Sequence, residues 1–126
     1  MRPPPHGSDL AGDQDIYVSR LTRFVFGPAS LVDELNSPAV DQMPNVSRNG
    51  QEIVFASSRD GNMDIWTAKW DRSEGSWSAP TKLPATVNTA DPESRPSFSG
   101  DGKRLYFGRG APPSDVFVSK RTVLDD

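Results

Sequence analysis

Three short segments of this chain carry nearly the same six residues. "DIYVSR" at residues 15–20 recurs as "DIWTAK" at 64–69 and as "DVFVSK" at 115–120, at spacings of 49 and 51 residues. Asp15, Asp64 and Asp115 open the three copies. A second element returns at an offset of 52: "PNVSRNGQEIVFASS" begins at Pro44 and "PSFSGDGKRLYFGRG" at Pro96. A third pair, "LNSPAVDQMP" (35–44) and "VNTADPESRP" (87–96), sets Asn36 over Asn88 and Asp41 over Glu93. Three elements that keep one order and nearly one period are not a chance pattern; they mark a repeat architecture.

Each unit reads as short strands separated by turns. "NVS" and "SFS" are brief strands ended by "RNG" and "GDG", where Gly50 and Gly102 supply the positive φ of a tight turn. "EIVFASS" and "RLYFGR" follow, rich in β-branched and aromatic residues. After a further turn come "DIWTAKW" and "DVFVSK". A fourth strand falls in "WSAPTKLPATVN", where Pro80 and Pro84 suit an outer edge. Ten Gly and twelve Pro in 126 residues interrupt the chain too often for long helices. The expectation is an all-β fold whose units of four short antiparallel strands have the pattern of β-propeller blades.

These residues resemble a known family. "PSFSGDGKRLYFGR" and "PNVSRNGQEIVFASSRDGNMDIW" look like the WD40-like Pro-Asp repeat found in the propeller of TolB-like proteins. Asn49 stands where that repeat has Asp before Gly, and Asn tolerates the same turn. The resemblance implies propeller repeats over residues 15–121, between a flexible N-terminal segment (1–14) and a tail (122–126), with one complete blade at about 44–90. It also implies a periplasmic or cell-envelope setting, although "MRPPPHGSDL" is not a secretory signal.

The blade count does not close. Residues 15–35 supply the end of one unit, 44–90 a whole one and 95–121 three strands of another, so about two blades plus a partial one form an incomplete ring. Propellers need about four to eight blades. Either the sequence is a piece of a larger propeller, which is the favoured expectation, or copies assemble into one ring. A protein partner or self-association would then complete it.

The candidate chemistry is sparse. In "SSRDGNMDIW" the alternating Asp60, Asn62 and Asp64 hint at a calcium loop. Ile65 stands where such a loop needs Gly, and Asp71 where it needs Glu, so a structural turn led by Asp64 is the expected role and no metal site is expected. A sialidase-type Asp-box does not match either. "ADPESRPSFS" (90–99) is the best polar candidate for binding, through Asp91, Glu93 and Arg95, with Asp41 equivalent to Glu93. A rigid scaffold presents such loops at low entropic cost. The competing role for Glu93 and Arg95 is to bond backbone between adjacent units.

His6 is the one histidine, there is no Cys and no Gly-x-Ser-x-Gly elbow, so no catalytic set and no cofactor is expected. Phe55, Trp66, Tyr106, Phe107 and Phe117 fall at repeat-equivalent positions and read as core between blades. Trp70 and Trp77 bracket "DRSEGS" and can pack across a hairpin; a carbohydrate surface is the other reading. A net charge of −3 without a Lys/Arg run argues against nucleic acid, and no apolar run is long enough for a membrane span. Two functional classes stand: a non-catalytic protein-binding module, or the propeller of an enzyme such as a serine peptidase or polysaccharide lyase whose catalytic residues lie elsewhere.

Overall fold

The computed structural model describes residues 14–112 and 114–122. The N-terminal segment with His6 and the tail therefore lie outside the described residues, apart from Gln14 and Thr122. The described chain is all-β and has no helix, so none is long and apolar enough to cross a membrane. Its strands are β1 (Tyr17–Val18), β2 (Leu21–Thr22), β3 (Val25–Phe26), β4 (Ser30–Leu31), β5 (Asp41–Val46) and β6 (Glu52–Ser57). They continue with β7 (Asp64–Asp71), β8 (Ser76–Trp77), β9 (Thr81–Lys82), β10 (Glu93–Phe98), β11 (Arg104–Arg109) and β12 (Asp115–Lys120). Among the described residues every pairing is antiparallel, and no sheet closes on itself.

The central sheet runs β5-β6-β7, with both β8 and β9 on the outer side of β7. A second sheet runs β10-β11-β12, while β1 pairs β4 and β2 pairs β3. The turns between the first two strands of each larger sheet are built alike. Ser47 Oγ bonds Asn49 Oδ1 at 2.8 Å and Gly50 closes the turn at φ 75°. Ser99 Oγ bonds Asp101 Oδ1 at 2.7 Å and Gly102 closes it at φ 72°.

Two details differ from the strands expected from sequence. β5 and β10 start four residues earlier, at Asp41 and Glu93, and run through Pro44 and Pro96. Proline cannot donate to a ladder, so each strand bulges there: the register shifts between Gln42 and Asn45 and between Ser94 and Ser97. The residue ahead of each proline, Met43 or Arg95, takes a positive φ of 56° or 50°. The expected fourth strand is two pieces of two residues, β8 and β9, divided by the run that contains Pro80.

β6 decides where the core lies. Its residues alternate between two faces, and both faces are covered. Ile53 and Phe55 meet Ile16, Val32, Leu35 and Ala68, with Trp66 and Trp77 at the margin. Val54 and Ala56 meet Ile65, Val87 and Phe107, with Leu83 and Leu105 beside them. The two clusters use matching positions: Ile16 and Ile65, Val32 and Leu83, Leu35 and Val87, Phe55 and Phe107. The central sheet is thus a layer between two neighbours, and burial of this apolar surface is the main stabilising term.

Candidate functional site

Asp41 opens β5 and Glu93 opens β10, and both side chains are completely buried. A buried carboxylate is costly unless donors surround it. Both acids find donors in corresponding places. Ser37 gives Asp41 its backbone N–H at 2.7 Å and its hydroxyl at 2.9 Å. Thr89 gives Glu93 the same two bonds at 3.1 and 2.7 Å. An arginine completes each set: Arg59 Nη2 lies 2.9 Å from Asp41 Oδ1, and Arg109 Nε lies 3.0 Å from Glu93 Oε2.

The other partners of the two guanidinium groups also correspond. Arg59 donates to the carbonyl of Leu35 and Arg109 to that of Val87. Arg59 lies over the rings of Phe55 and Trp66, with centroid distances of 5.2 and 4.9 Å. Arg109 lies over Phe107 and Phe117 at 5.4 and 4.3 Å. A planar cation that bonds through its edge and stacks through its face is the property that separates Arg from Lys. Sequence reasoning missed both arginines. Arg109 stands across the ladder from Glu93, where the first set has Ser57 across from Asp41, and Arg59 reaches in from two residues further on. That shift hides the correspondence from any aligned comparison.

Two asparagines fasten strand to connection. Asn36 Oδ1 accepts the N–H of Ile16 at 2.7 Å, while its Nδ2 donates to the carbonyls of Ile16 and Val32. Asn88 does the same to Ile65 and Leu83, with 2.8 Å to the Ile65 N–H. A side-chain amide carries one acceptor and two donors, so it can mimic a strand's backbone.

The Asp60, Asn62 and Asp64 group is already filled by the chain itself. Lys82 Nζ lies 2.6 Å from Asp60 Oδ2 and 3.1 Å from Asp64 Oδ2. Asn62 Nδ2 donates to Asp64 Oδ1 and to the carbonyls of Thr89 and Asp91, which staples this turn to the next connection. Hydrogen bonding to Lys82 holds the Asp60 carboxyl below its usual range, and Asp60 and then Asp64 hold the Lys82 ammonium above its own. Among the described residues no group of three His, Cys, Asp or Glu side chains is placed to hold a metal ion.

Of the other candidates, Asp91 is exposed on the loop that leads into β10 and Arg95 is exposed at the bulge within β10, while Asp41 and Glu93 sit inside with separate arginines. The four therefore do not converge on one site. Asp64 is buried, Asp15 half-buried and Asp115 exposed.

A cleft of about 360 Å³ opens between the central sheet and the β10-β11-β12 sheet. Val54, Leu83, Val87 and Leu105 line its floor. Lys69, Arg104, Lys120 and Arg121 line it too, with Glu52 the one acid among the described residues. Arg121 grips Glu52 through two bonds of 2.6 and 3.0 Å, and this pairing holds the Glu52 carboxyl below its usual range. No protein-family model matches the chain, and no curated protein matches it.

Proposed function

We infer that this chain is a non-catalytic binding or protein-interaction module built from β-propeller blades of the TolB-like kind. The observation that carries the reading is the doubled core: β6 buries both faces, and each face meets its neighbour through matching residues. Blades that stack face to face around a ring have this property. The matching acid, arginine and asparagine contacts support it further, because they tie each unit to the connection that precedes its neighbour.

Such stacking calls for more than the described sheets. Tyr106, Val116 and Val118 are exposed on the last sheet, as are Tyr17, Val18 and Leu21 on the first unit. In this reading a protein partner or further copies of the chain cover them, since wide apolar surface marks an interface. The cell envelope is the setting that comes with the family resemblance.

Light scattering on the purified chain tests the proposal. A trimer supports a six-bladed ring made of copies. A well-folded monomer, with 104–120 as resistant to hydrogen exchange as 52–69, would overturn the open-ring reading.

A further inference from the structure

The outer side of β7 and the outer side of β12 are the same kind of edge, treated differently. On β7 the N–H of Lys69 donates to Ser78 Oγ and its carbonyl accepts from the Ser78 N–H. Further along, β9 pairs Thr81 with Thr67 and Lys82 with Trp66. The anchor of this added chain is Trp77. It stands across from Trp70, meets it edge to face at 5.1 Å, and packs onto the cluster of Ile16, Val32 and Leu35.

On β12 the corresponding groups are Val116, Val118 and Lys120. The register of β11 and β12 pairs Arg104 with Lys120 and Leu105 with Ser119, and the Arg121 N–H bonds the Lys103 carbonyl. By the alternation of an antiparallel ladder, residues 116, 118 and 120 then point their backbone groups away from β11. Among the described residues no strand pairs with β12 on that side. Arg121 stands where Trp70 stands in the central sheet, and the cleft lined by Leu83 and Val87 corresponds to the place where Trp77 packs on the cluster that contains Val32 and Leu35. Among the described residues the seat is present twice, and an indole fills it once.

The geometry points to this edge and cleft as a docking site for an extended segment of a partner protein. The segment adds as an antiparallel strand along β12, lowers one aromatic side chain into the cleft, and carries acidic residues beside it. Strand addition supplies main-chain hydrogen bonds, and the pocket for one side chain supplies selectivity. The aromatic ring meets Arg121 instead of Trp70, which suits an arginine face. Charge chooses the acidic flanks: among the described residues four cations line the cleft against Glu52, in a chain of net charge −3. The proposal deepens the binding-module reading and rests on it.

A labelled peptide copying residues 74–83 ("EGSWSAPTKL"), with its lysine changed to glutamate, is the probe, titrated into the whole chain by fluorescence polarisation. Saturable binding is expected. It should weaken at least tenfold when the peptide's tryptophan becomes alanine, and by a similar factor with Val118→Pro, which removes an outward N–H but leaves the ladder to β11 intact. If Val118→Pro melts the fold, exposed Lys120→Glu and Arg104→Glu carry the test, each weakening the peptide several-fold and flattening its salt dependence. No saturable binding overturns the proposal, as does binding indifferent to both the tryptophan and these charges. Self-association that Val118→Pro abolishes, in a chain that ignores the peptide, would overturn it in favour of a second copy on the edge. A ring that forms normally while the peptide fails sinks this site alone, whereas peptide binding by a monomer sinks the ring and leaves the site.

Discussion

Arg59 and Arg109 place their guanidinium groups in corresponding surroundings although they do not occupy corresponding positions in the chain. Each bonds a fully buried acid, donates to the carbonyl of Leu35 or Val87, and lies on two aromatic rings. The destination is the same and the route differs. Physically the two are equivalent: a buried acid needs a cation, and either path delivers one.

Removing the cation should therefore cost more than removing the pair. Arg109→Ala leaves Glu93 buried and unmatched, and about 3–5 kcal/mol of stability is expected to go. Arg109→Ala combined with Glu93→Gln should recover part of that loss. Urea unfolding of the two single variants and the double variant checks it. Equal and additive losses would mean the pair is not coupled.

Asn88→Ala should cost roughly 3 kcal/mol, because both the N–H and the carbonyl of Ile65 lose a partner in a buried setting. Asn36→Ala removes the same bonds from Ile16 and should cost a comparable amount. Hydrogen exchange gives a local readout: protection of the Ile65 amide is expected to fall in Asn88→Ala more than protection in β11.

The bulge ahead of each proline makes a backbone prediction. Arg95 is exposed and holds φ 50°, a conformation that costs a side-chain-bearing residue about 1–2 kcal/mol. Glycine adopts it freely but loses more entropy on folding. Arg95→Gly should thus change stability by between zero and about 1 kcal/mol in the favourable direction. Arg95→Val should destabilise, since branching worsens the strain. Denaturant midpoints that rank the two variants the other way would remove strain as the explanation.

Stability should fall on the acid side partly through Glu52. Its folded carboxyl titrates lower than an ordinary one near 4.5, so the unfolded chain binds more protons in the window between the two values. The stabilisation is therefore complete above the ordinary value and is lost as pH falls through the depressed one. Glu52→Gln should flatten that part of the stability curve and change little near neutrality beyond the loss of its ion pairs. Lys82 works in the opposite sense: its raised value means a contribution present below the ordinary lysine range and lost as the solution becomes strongly alkaline.

Calcium should leave the melting temperature unchanged, because Lys82 already supplies the positive charge that Asp60 and Asp64 share. Asp64→Ala should lower it, since Asp64 is buried and ties Asn62 to the turn. A calcium-dependent rise would return this turn to the status of an ion site.

The amino-acid sequence by itself determined the all-β class and the long strands β6, β7, β11 and β12. "EIVFAS" and "RLYFGR" are strands because branched and aromatic residues suit a pleated, buried surface, and Gly50 and Gly102 end the hairpins because only a residue free of strain at positive φ fits there. The alignment of Asn36 with Asn88 and of Asp41 with Glu93 was also legible, with the acids left between a binding role and a structural one. Tertiary structure alone decided what those residues do. Whether an acid is a surface ligand or a buried brace depends on what covers it, and that cover comes from strands distant in the chain. Four basic residues scattered from Lys69 to Arg121 form no run, yet packing of one sheet on another brings them to a single cleft. A strand's own pattern sets which way its side chains face; only the assembled sheets set what those side chains meet.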